Sequence, residues 1–251
     1  MNQQRLLIAG LWSLMLVSPL VAQDLTKPDK AIRFATFNAS LYRDAAGKLL
    51  KDLDGGKHPG IRKVAEIIQR VRPDVLLLNE FDYDSTGEAA RLLRANYLQQ
   101  SQNGQEPIRY DYAFSAESNT GIASGFDLNH DGKTGSPDDA FGFGKHPGQY
   151  GMLVLSKYPI DSTAIRTFQK FLWKDLPGAL LPVDPKNSQP WYDETTTAAF
   201  RLSSKSHWDV PIKIGDQTVH FLVCHPTPPV FDGAEDRNGA RNHDEIRFWA
   251  E

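Results

Sequence analysis

The 251-residue chain contains a single cysteine, Cys224, so no disulfide can form within it, and its stability must come from packing or from bound metal. It also lacks an excess of positive charge: 28 Lys and Arg stand against 31 Asp and Glu, a formal net charge of −3. That balance argues against the basic stripe of a protein that wraps duplex nucleic acid, although a divalent cation can still supply positive charge at one point. The apolar run Leu6 to Val17 is too short to span a bilayer comfortably. With Arg5 ahead of it and Ser18-Pro19-Leu20-Val21-Ala22 behind, it has the pattern of a secretory signal peptide over residues 1–22, cut near Ala22, with an uncleaved anchor as the alternative. No cysteine comes directly after the run, which argues against a bacterial lipoprotein anchor. The expectation is a periplasmic or extracellular protein, free of the membrane once the leader is removed.

What is present is enough for a globular domain, expected over residues 31–251. The hydrophobic fraction is 40%, with five Trp and thirteen Phe. Pro73-Asp74-Val75-Leu76-Leu77-Leu78-Asn79-Glu80 reads as a central strand covered on both faces and ending in a carboxylate. Ahead of it, Ile32 to Phe37 alternates as a strand that delivers Asn38. A Gly/Lys-rich loop then leads to a helix with Ile61, Val64, Ala65, Ile68 and Val71 on one face, stopped by Pro73. This strand, helix, strand unit puts Asn38 and Glu80 at equivalent ends, where a carboxamide and a carboxylate can hold a hard cation and orient a phosphate oxygen. A second helix is predicted from Ser85, with Ser85 and Glu88 at capping-box spacing. Tyr110 to Phe114 reads as a strand whose Tyr112 is either a core aromatic or a phosphate-contacting hydroxyl.

Asp127-Leu128-Asn129-His130-Asp131-Gly132-Lys133 has oxygen side chains at positions 1, 3 and 5, glycine at 6 and Asp138 at 12. That is the spacing of a calcium loop, and an ion there would order the Gly-rich segment Ala140 to Gly144; an Asx-rich turn with nothing bound is the plainer reading. Gln149 to Ser156 is a further strand. The stretch from Phe168 to Tyr192 is irregular, either lying over a substrate or facing solvent. Arg201, Lys205 and His207 form a small basic cluster. Val210 to Ile214 and Thr218 to Cys224 make a hairpin around Gly215-Asp216, ending in His225-Pro226-Thr227. Arg237 and Arg241 open a last helix, as phosphate ligands or surface ion pairs.

Phe37-Asn38, Asn79-Glu80, Tyr112 and Gly151-Met152-Leu153-Val154-Leu155-Ser156-Lys157-Tyr158-Pro159 together resemble the endonuclease/exonuclease/phosphatase superfamily. The segments Phe141 to Gly144 and Gly148 to Gly151 are similar to its secreted, phytase-like bacterial branch. The resemblance implies an α/β fold, the four-layer α/β/β/α sandwich of deoxyribonuclease I type, hydrolysing phosphoesters with a divalent metal. It implies Mg2+ or Mn2+ at Glu80 with Asn38, catalytic roles for His225, Asn38 and Tyr112, and proton donation or charge stabilisation by His225. Calcium is expected at Asp127, Asn129, Asp131 and Asp138. No carboxylate partner for His225 is evident, and Gln149 falls closest to the expected place. The family's Gly-Asp-x-Asn and Ser-Asp-His stretches do not follow His225, so the C-terminal part of the fold, and most of its second sheet, is expected to be missing. The expected substrate is a small organic phosphate or a nucleic acid, the expected state a monomer. A catalytically silent, calcium-stabilised binding protein or inactive fragment is the other reading.

Overall fold

A computed structural model describes residues 26–251, so the signal-peptide segment lies outside the described residues. In chain order the elements are β1 (Phe34–Leu41), α1 (Lys48–Leu53), α2 (Pro59–Val71), β2 (Val75–Phe81), α3 (Glu88–Leu93), β3 (Tyr112–Phe114), β4 (Met152–Ser156), β5 (Arg166–Thr167), α4 (Glu194–Ala199), β6 (His207–Ile214), β7 (Gln217–Cys224) and α5 (Arg237–Arg247). They form a four-stranded sheet in the order β1-β2-β4-β3 and a three-stranded sheet in the order β5-β6-β7.

The buried run of β2 explains the layering. Its Leu76 and Leu78 join Leu153 and Leu155 of β4 against Ile61, Ala65 and Ile68 of α2 and Leu93 of α3. Its Val75 and Leu77 join Met152 and Val154 against Trp208, Val210 and Ile212 of β6. A strand covered on both faces has no polar side to show, which is why alternation is lost there. Helices, first sheet and second sheet are thus three stacked layers. The second sheet is represented by three strands, β5 being two residues long, and its hairpin closes locally: β6 and β7 pair from His207↔Cys224 to Ile214↔Gln217 around Gly215-Asp216.

Two local expectations change. The helix from Ser85 starts instead at Glu88, because Asp84, not Ser85, accepts the Ala89 N–H at 3.0 Å and the Thr86 hydroxyl. The irregular stretch from Phe168 to Tyr192 is anchored: Trp173, Leu176 and Tyr192 form a third apolar cluster with Leu128, Phe141, Phe200 and Leu202. Asp244 of α5 fixes it further, accepting from Trp173 Nε1 and Leu180 N, each at 2.7 Å.

Candidate active site

β1 and β2 run parallel with Asn38 opposite Asn79, so their carboxyl ends share one sheet edge. Strict alternation would send Glu80 toward the helices. The register slips between Asn38 and Leu41, and both Ser40 (φ 49) and Glu80 (φ 59) take left-handed backbone. Leu78 and Phe81 both remain in the helix-facing core, and Glu80 lines the cavity instead. A non-glycine residue in that conformation is strained, and a bulge of this kind re-aims a side chain.

The second sheet supplies the facing groups. Since His207 pairs with Cys224, the residues before β6 and after β7 meet at one edge, bringing Lys205 beside His225 and Pro226. His225 Nε2 lies 3.8 Å from Glu80 Oε1. Glu245 of α5, 1% exposed, clamps both segments: it accepts from Ser204 N at 2.6 Å, Ser204 Oγ at 2.9 Å and Thr227 N at 2.6 Å. A cavity of about 960 Å³ opens over Asn38, Glu80, Lys205 and His225.

Charge states follow from this packing. Contact with His225 and a hydrogen bond from Asn38 hold the half-buried Glu80 carboxyl below its usual range against the opposing effect of burial. Burial lowers His225, leaving a neutral imidazole at neutral pH. Burial also pushes the Lys205 ammonium down to about 8; its one protein acceptor is the Pro226 carbonyl, at 3.4 Å. Behind the edge, Asn79 donates to Thr36 Oγ1 at 3.2 Å, and its own Oδ1 is buried with no partner.

Asn38, Glu80 and His225 are therefore brought together as the sequence indicated, and Tyr112 is not. Tyr112 pairs with Ser156, which in turn pairs with Val75, so it sits at the opposite end of the sheet from Glu80 with 37% of its surface exposed. Gln149 is no partner of His225: it accepts from Lys145 N at 2.7 Å and donates to the Arg43 carbonyl at 2.7 Å. The Asp127 to Asp138 segment forms an Asx-rich turn. Asp127 is taken up by the N–H groups of Asp131 and Gly132, and the Asn129 and Asp131 side chains likewise accept from backbone N–H groups of the same turn. Asp138 lines the cavity, while its neighbour Asp139 turns inward to accept from Leu128 N and Ser136. Among the described residues no group of three or more His, Cys, Asp or Glu side chains could hold a metal.

Of the basic cluster only Lys205 reaches the site. Arg201 lies over the Phe141 ring and donates to Asn119, and His207 is buried between Ser203 and the Glu245 carbonyl. Arg241 is spent on the carbonyls of Phe141, Arg201 and Leu202, and Arg237 is paired with Glu235. Glu245 carried no motif and Lys205 stood only in the basic cluster, but counting the hairpin ladder two steps past His207↔Cys224 places Lys205 opposite Pro226, the neighbour of His225.

The model of the Endonuclease/Exonuclease/phosphatase family matches residues 35–247. The chain belongs to this family. Its members generally hydrolyse phosphoester bonds and use divalent metals. Among solved structures, the chain is similar to an endonuclease/exonuclease/phosphatase family protein from Leptotrichia buccalis C-1013-b, at 14% identity and a TM-score of 0.42, over 86% of this chain and 60% of that one. A second similar structure is an endonuclease/exonuclease/phosphatase from Beutenbergia cavernae DSM 12333, at 17% identity and a TM-score of 0.39, over 86% and 41% of the two chains. A third is a beta hairpin deletion mutant of beta toxin from Staphylococcus aureus, at 17% identity and a TM-score of 0.39, over 88% and 61%. The chain spans less than two thirds of the length of each. No curated protein matches it.

A divalent metal would find one ionised carboxylate at this edge, Glu80, while Asn79, the residue before it in β2, keeps a buried side-chain oxygen without a partner. Mg2+ accepts such a set, since it commonly takes one or two carboxylates and completes its shell with water and substrate phosphate.

Proposed function

We propose that this chain is a divalent-metal-dependent phosphoester hydrolase, exported from the cytoplasm and acting in the periplasm or outside the cell as a monomer. The observation that carries it is the convergence of Glu80 and Asn38 from one sheet with His225 and Lys205 from the other on a single cavity. The leader pattern from Arg5 to Ala22 supports export.

Hydrolysis forms a bond from a water oxygen to phosphorus and breaks the phosphorus–oxygen bond to the alcohol; one water proton goes to the alcohol, and the other stays with or leaves the phosphate. In this reading Glu80 holds Mg2+ or Mn2+. Bound there, the metal would polarise a phosphoryl oxygen as a Lewis acid. Asn38 fixes the Glu80 carboxylate by donating to it. Lys205 places a cation, shielded from water, where the phosphate carries negative charge, and such a charge acts more strongly in a dry site than in solvent. His225, neutral through burial and with Nε2 facing Glu80, accepts a proton from water at its other ring nitrogen.

The test is hydrolysis of p-nitrophenyl phosphate and bis-p-nitrophenyl phosphate with Mg2+ or Mn2+ by the wild type and by Glu80→Gln. Loss of roughly 100-fold or more in kcat/KM in a folded variant is expected, the size seen when a charge-stabilising group is removed. A variant that keeps its rate removes Glu80 from the mechanism, and a wild type inert on both esters sinks the reading.

A further inference from the structure

The cavity mouth is apolar in a way the chemistry at its floor does not require. Phe143 is 51% exposed, Val230 48%, Phe231 83% and Ile246 58%, and all four line the cavity. They arrive from three separate places: the Gly-rich segment, the loop after β7, and α5. Phe231 combines its exposure with left-handed backbone, φ 70. Exposure of a large ring and strain in its backbone both oppose folding, and a ligand resting on the ring would offset both. Deeper in, the wall continues with Leu128, Tyr192 and Phe200.

The charge pattern narrows the occupant. Arg237 and Arg241 also line this cavity, but the first is paired with Glu235 and the second bonds main-chain carbonyls. Among the described residues Lys205 is the cation of the wall left for a ligand, matching one phosphate group. A polyanion would need a cation near each phosphate it places, and this wall does not supply them. About 960 Å³ of mixed apolar wall and few convergent polar groups is the build of a small-molecule site.

We propose that the site takes a monomeric phosphoester whose organic part is apolar, an aryl or branched-alkyl ester, with its phosphate at Lys205 and its body against Phe143, Val230, Phe231 and Ile246. This rests on the hydrolase reading of the same site.

The experiment uses the full chain with Mg2+ or Mn2+ and two diesters sharing one leaving group, p-nitrophenyl methyl phosphate and p-nitrophenyl phenyl phosphate. Because the departing nitrophenolate is common to both, a difference reports on the retained group. The phenyl ester is expected to show a kcat/KM at least ten-fold higher, mostly through KM, and the double variant Val230→Ala/Phe231→Ala to shrink that ratio at least five-fold. Equal values, or a ratio the variant does not move, overturn the substrate class and leave the hydrolase standing. If neither ester is cleaved, the hydrolase reading has failed. The proposal is then read by calorimetry with phenylphosphonate and methylphosphonate: tighter phenyl binding, weakened by the double variant, sustains the apolar site, and equal or absent binding overturns it.

Discussion

Glu80 holds a conformation that costs a non-glycine residue of the order of 1 kcal/mol, in return for a carboxylate aimed away from the helices. Function and stability therefore pull apart at this residue. Glu80→Gly is expected to abolish hydrolysis yet leave the midpoint of urea unfolding unchanged or raised, by up to about 1 kcal/mol in stability. A variant that loses both would show that Glu80 is structural. Lys205 makes the same point through charge. Its folded value, about 8, lies below its ordinary 10.5, so between those two pH values the unfolded chain holds a proton that the folded chain has released. Stability from this group accordingly rises as pH increases from 8 to 10.5, and below 8 the buried ammonium costs about 3 kcal/mol. Lys205→Met is expected to be more stable than the wild type at pH 7, with the difference closing toward pH 10 in paired urea titrations, and to lose hydrolysis at least ten-fold. A difference that does not change with pH would mean that Lys205 is solvated.

At the scale of elements, the site depends on how closely segments approach. Gly142 lies so near Ser204 that a Cβ would overlap its carbonyl oxygen, and Glu245 grips Ser204 from the other side. Gly142→Ala must therefore push the segment carrying Lys205. It is expected to destabilise by more than 1 kcal/mol and to lower kcat/KM in the fraction that remains folded, checked by thermal unfolding alongside rates below the transition. Unchanged kinetics would mean that the Ser204-Lys205 segment can shift without consequence. These approaches also mark where the sequence stopped being informative. The run Val75 to Leu78, the helix face of α2 and the Gly215-Asp216 hairpin were legible because each is written in one continuous segment, and Asn38, Glu80 and His225 followed because each comes after an apolar stretch, although β1 and β2 run on to Leu41 and Phe81. Asp138 and Asp139 are adjacent, so spacing could not tell which turns inward. Tyr112 was misplaced because its strand is antiparallel to β4, a pairing no local pattern fixes. Glu245 acquires its meaning only from α5 packing across the start of β6 and the end of β7.

For the molecule as a whole, the decisive feature is that the site straddles two sheets. Glu80 and Asn38 ride on the first, His225 and Lys205 on the second, and the 3.8 Å between His225 and Glu80 is set by the apolar layer that joins them. Leu77 and Leu78 allow that dependence to be isolated. They are neighbours in β2, 4% and 0% exposed, but Leu77 packs between the sheets and Leu78 against the helices. Truncating either to alanine removes the same atoms and is expected to cost about 3–5 kcal/mol. Their effects on chemistry are expected to differ. A cavity behind the first sheet leaves the sheet-to-sheet spacing alone, whereas one between the sheets lets them relax toward each other and shifts Glu80 relative to His225. Misplacement by about 1 Å can cost on the order of 100-fold in rate. Measured well below both unfolding midpoints, Leu77→Ala is expected to lose at least ten-fold in kcat and Leu78→Ala less than three-fold. Equal losses would mean that the inter-sheet layer does not set the catalytic distance and that the site is held by its own loops, chiefly through Glu245.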